Sequence, residues 1–95
     1  MRNTSGNGVI KMQLTKSATS SGANYEEAQG ASSKADFINK VRISLKEMRE
    51  ANYWLRILEK VESKRPTRLV LLVNESSELK NILGAILRKA DENRK

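Results

Sequence analysis

The sequence predicts an all-α protein, an antiparallel up-and-down helical bundle built from three long helices. Two observations carry this. Apolar residues recur at steps of three and four through residues 33–62 and again through 66–92, the spacing of one helix face. Helix breakers are also scarce where these patterns run: Pro occurs once, and four of the five Gly precede residue 31. A chain of 95 residues fits one domain with a modest core, so residues 9–95 read as a single helical unit behind a disordered polar lead, residues 1–8.

The first element is predicted from about Val9 to Ala31, with Ile10, Leu14, Ala18, Ser21, Tyr25 and Ala28 on one face. Its middle, Ser17–Gly22, has poor intrinsic helix propensity, so the segment needs a close tertiary neighbour to hold it. Small side chains suit such an approach. Gly30 is read as its end.

Ser32 or Ser33 can cap the second helix, with Asp36 placed to complement the first turn. From there Phe37, Val41, Leu45, Met48, Ala51, Leu55, Leu58 and Val61 form an unbroken apolar seam of about seven turns. The link Ser63–Pro66 breaks the pattern, and Pro66 suits the first position of the next helix. Leu69, Leu72, Ser76, Leu79, Leu83, Ile86 and Ala90 then repeat in helical phase. The run Leu69–Val73 could be a strand by composition, but the helical phase passes through it, and a lone strand has no partner. The charged tail Asp91–Lys95 is expected to fray.

The chain contains neither Cys nor His. That excludes disulfides, thiolate chemistry, imidazole bases and the Glu-x-x-His ligand pairs of di-metal bundles. No Gly-rich loop sits between a strand and a helix, and the Tyr25-Glu26-Glu27 group points in divergent directions on a helix, so a non-enzymatic role without cofactor or metal is expected. No apolar run is long enough for a membrane span and no signal-peptide core is evident, which reads as a cytoplasmic protein without a membrane partner.

The net charge of +7 points to a polyanionic partner, with nucleic acid, RNA or DNA, ahead of a membrane surface. Residues 32–65 hold nine basic and five acidic side chains, the largest share of the excess. Arg42, Lys46, Arg49, Tyr53, Arg56 and Lys60 follow alternating steps of four and three, a second stripe beside the apolar seam. Five cations with an interleaved Tyr could track a phosphate backbone while Tyr53 stacks on a base. The competing reading is a solvated face balanced by pairs such as Lys46–Glu50. Tyr25, Trp54 and Leu55 are read as packing or subunit-interface residues.

The run Ser17–Ala28 (SATSSGANYEEA), followed by Gln29-Gly30-Ala31, Ser33-Lys34, Asp36-Phe37-Ile38, Leu45-Lys46-Glu47 and Tyr53-Trp54-Leu55, resembles the bacterial four-helix bundle proteins encoded within 23S rRNA intervening sequences. The resemblance spans roughly residues 9–90. It implies that the three helices belong to a four-helix-bundle-like fold, as its second, third and fourth helices, with MRNTSGNG standing where the first would end. It also implies a homo-oligomer, a ring-like pentamer in similar proteins, and suggests an accessory role beside a nucleic-acid enzyme such as a reverse transcriptase. A purely protein-binding module, or a shortened copy without function, is the alternative expectation. Ser21 occupies an Ile-like position of the family and is expected to weaken the core.

Overall fold

The computed structural model describes residues 5–62, 64 and 66–93, and these form three α-helices: α1, Ser5–Gln29; α2, Lys34–Val61; and α3, Thr67–Asn93. The helix class and the number of elements are as the periodicity predicts. Helix α1 starts ahead of Val9, so residues 5–8 of the expected polar lead are helical; residues 1–4 lie outside the described ones. Leu69–Val73 lies within continuous α3, which runs on through Asp91 to Asn93, so the tail is helical over that stretch.

The ends follow from local chemistry. Gly30 and Ala31 donate to the carbonyls of Glu27 and Ala28 at 3.1 and 3.2 Å, which tightens the last turn of α1. No glycine among the described residues has a positive φ, so Gly30 closes this helix without the left-handed cap its identity suggests. Ser33 caps α2, its side-chain oxygen accepting from the Asp36 backbone N–H at 3.0 Å. Pro66 stands just ahead of α3, and its carbonyl accepts from the Leu69 and Val70 N–H groups.

Helix α2 is the central element. It packs antiparallel against α1 on one side and α3 on the other, while no α1 residue approaches an α3 residue within 8 Å between Cα atoms among the described residues. The assembly is elongated, 49 × 20 × 15 Å. One apolar cluster gathers Ala28, Val41, Leu45 and Leu83 at one end; another gathers Leu55, Leu58 and Leu69, with Ile10 and Leu14 against it. A helix held from two sides buries a wider arc than one apolar seam. Accordingly, Ile38, Ser44 and Asn52 are buried on α2 beside the expected Val41, Leu45, Ala51, Leu55 and Leu58, whereas Val61 is exposed.

The same arrangement changes the faces of the outer helices. On α1 the buried positions are Ser17, Ser21 and Ala28, while Ala18 and Tyr25 of the expected stripe are exposed. On α3, Leu69, Ser76 and Leu83 are buried, but Leu72 and Leu79 remain 40% and 46% exposed. They border the opening between α1 and α3, where no third wall covers them.

Two polar crossings hold α2 to its neighbours. Ser21 Oγ donates to the Ser44 carbonyl at 2.8 Å, and Ser44 Oγ donates to the Ser21 carbonyl at 2.8 Å. Reciprocal bonds of this kind require the two backbones to run close, which only small side chains permit. Ser21 therefore fastens the seam through hydrogen bonds in place of apolar contact. On the other side of α2, the fully buried Asn52 amide donates to Ser76 Oγ at 2.8 Å and Ser77 Oγ at 3.1 Å on α3. Among the described residues no buried side-chain polar atom lacks a partner.

Candidate nucleic-acid interface

All six residues of the predicted basic stripe, Arg42, Lys46, Arg49, Tyr53, Arg56 and Lys60, are exposed on α2. The stripe is a solvent-facing edge of the helix, set apart from the arc buried against α1 and α3. The Lys46–Glu50 pair that the spacing allows does not form. Glu50 instead accepts from Trp54 Nε1 at 3.3 Å, so its carboxylate is turned to the indole. An ion pair between Lys40 and Glu27, at 3.8 Å, ties α2 to α1 away from the stripe.

Tyr53 is 47% exposed, and its ring stands edge-to-face with Trp54, with centroids 5.1 Å apart and planes at 71°. Trp54 is half-buried and held at its indole nitrogen. Leu55 is buried in the apolar cluster with Leu58 and Leu69. Tyr25, also expected to pack, is 37% exposed and lines the open apolar cleft with Leu79, Ile82 and Ile86.

The structure adds to the stripe residues that the pattern on α2 could not show. Arg49 and Arg56 line a polar recess with Lys80, Asn81, Gly84 and Arg88 of α3, and no carboxylate lines it. Arg56 Nε donates to the Asn52 side-chain oxygen at 3.0 Å, so the buried amide that joins α2 to α3 also orients this guanidinium. The available signal was the four-residue spacing of Lys80, Gly84 and Arg88, which puts them on one face of α3. Arg42, Lys46 and Lys60 do not line the recess. Beyond the end of the stripe, Lys64 and Arg68 are also exposed.

A family model for the 23S rRNA-intervening sequence protein matches residues 4–85. The chain belongs to the 23S rRNA-intervening sequence protein family. A solved structure from Bacteroides thetaiotaomicron VPI-5482, described as a protein of unknown function from the S23 ribosomal protein family, superposes with a TM-score of 0.76 at 42% identity. The alignment covers 83% of this chain and 73% of that one. The comparison with curated proteins gave no match. No described helix of this intervening-sequence protein is long and apolar enough to cross a membrane.

Proposed function

We propose that this chain is a small, non-catalytic, self-associating bundle protein of the cytoplasm that binds RNA or other nucleic acid through the basic edge of α2, without sequence readout. The observation that carries the reading is the exposure of Arg42, Lys46, Arg49, Arg56 and Lys60 along one helix edge around an exposed Tyr53. Cations so placed neutralise successive phosphates and release counterions, while an aromatic ring accepts any base. Contacts to phosphate fix position and carry no sequence information, so binding along this edge is expected to be independent of sequence.

Self-association is supported by a separate feature. The cleft between α1 and α3 is lined by Ala18, Gly22, Met48, Leu79, Ile82 and Leu83 and lies open to solvent, and an apolar surface of that kind is stabilised when another subunit covers it.

Fluorescence anisotropy with a labelled single-stranded RNA tests the binding reading. Affinity should fall steeply between roughly 50 and 200 mM salt. Reversal of charge at Arg42, Lys46 and Arg49 together should abolish binding while helicity by circular dichroism is kept. Binding that survives this triple change would remove the α2 edge as the site. Light-scattering mass measured on the same samples tests self-association, and a monomer at all concentrations would overturn that part.

A further inference from the structure

We infer that the recess between α2 and α3, formed by Arg49, Arg56, Lys80 and Arg88, is a phosphate seat that anchors the backbone of the bound strand; this rests on the nucleic-acid reading above and adds α3 to the site. Four cations line one depression with Asn81 and Gly84 and without any Asp or Glu. Like charges brought together at a surface repel one another unless an anion joins them, and a phosphodiester supplies both the charge and the acceptor oxygens.

The recess is also organised in advance. Asn52 is 1% exposed and is fixed to α3 through Ser76 and Ser77, and its oxygen accepts from Arg56 Nε. With Nε engaged, the terminal amino groups of Arg56 remain as a fork for phosphate oxygens, the geometry in which a guanidinium binds phosphate best. On α3, a Cβ added at Gly84 would stand 3.6 Å from Nη1 of Arg88, so the Arg88 side chain lies back over the bare backbone at Gly84. A glycine in mid-helix is unfavourable relative to Ala, and here it leaves space in the floor of the recess.

Arg49 and Arg56 are seven residues apart. Two turns of helix separate them by about 10 Å, with Tyr53 between them on the same edge. A single strand lying along α2 can therefore place phosphates in the recess and a base against Tyr53. Asn52 is a positioning residue in this scheme, since it reaches the ligand only through Arg56.

The test uses the full chain and a labelled single-stranded RNA of mixed sequence. Lys80→Gln with Arg88→Gln should lower affinity about tenfold and reduce the salt slope by roughly 1.4, the loss of two contacts to a single strand. Gly84→Glu places a carboxylate in the recess without removing a cation, at a position where a Cβ makes only ordinary contact and Glu favours helix. It should weaken binding at least as much. The exposed pair Lys16→Gln with Lys34→Gln is the charge-matched control and should stay within about twofold.

If the recess variants bind like the control while reversal at Arg42 and Lys46 abolishes binding, the seat is wrong and the α2 edge stands. If the wild-type chain binds no RNA, the nucleic-acid reading falls, and a titration with inorganic pyrophosphate followed by amide resonances decides the recess. Shifts at Asn81 and Gly84 that vanish in the Lys80→Gln, Arg88→Gln chain support a phosphate seat. Silence at both overturns it.

Discussion

Helix α2 meets its two neighbours through buried polar groups, and the two crossings work differently. Toward α1, Ser44 and Ser21 exchange hydroxyl-to-carbonyl bonds and satisfy one another completely. Toward α3, Asn52 donates to Ser76 and Ser77 and then accepts from the exposed Arg56. The first crossing is closed, and its effect is to set the distance between two backbones. The second is open at one end, and it passes the order of the interior to a cation at the surface. A buried polar group can thus serve packing alone or packing and a site together, and which it does depends on whether its last partner faces solvent.

The largest expected effect comes from closing space in the first crossing. Ser44→Leu forces a branched side chain between α1 and α2 and leaves the Ser21 carbonyl without the Ser44 hydroxyl that donates to it; it should destabilise by about 3 kcal/mol or more. Urea unfolding of the variant would show a midpoint far below that of the parent. Asn52→Ala comes next, at about 2 kcal/mol, because Arg56 Nε and the α3 serines lose their common partner. The comparison is sharpened by a second readout here: among folded molecules, Asn52→Ala should also weaken RNA binding, since Arg56 is no longer aimed. Ser21→Ala should cost about 1 kcal/mol and leave binding unchanged, as expected for a crossing that ends in the interior. If Ser21→Ala and Asn52→Ala reduce affinity equally, the distinction between the two crossings is lost. The smallest effect is set by Ser33→Ala, which removes one cap bond to Asp36 and touches no other helix; about 1 kcal/mol or slightly less is expected, with binding intact.

The helices themselves were legible, because a 3.6-residue period is printed in the order of Leu, Ile and Val regardless of what each face meets. The Ser33 cap and the exposed stripe from Arg42 to Lys60 were legible for the same local reason. The start of α1 was not, since Ser5–Gly8 has the composition of a loop and is nevertheless helical. Ser44 and Asn52 escaped a reading based on apolar residues because they are polar groups whose burial depends on partners 23 to 25 positions away. Leu72 and Leu79 escaped it in the opposite sense: they are in phase with the apolar seam yet border an opening. Lys80 and Arg88 could be seen as cations, but nothing local says that they share a depression with Arg49 and Arg56.

By itself, then, the sequence determined the all-α class, the three helices, the excess of positive charge and its concentration on α2, all of which follow from near-neighbour spacing and composition. Only the tertiary structure decided that α2 lies in the middle, that α1 and α3 stand apart over an apolar cleft, and that two helices together shape the cationic recess. The physical reason is range. Helical periodicity and capping act over three or four residues, whereas burial, the pairing of Ser21 with Ser44 and the aiming of Arg56 by Asn52 depend on which helix faces arrive at the same place.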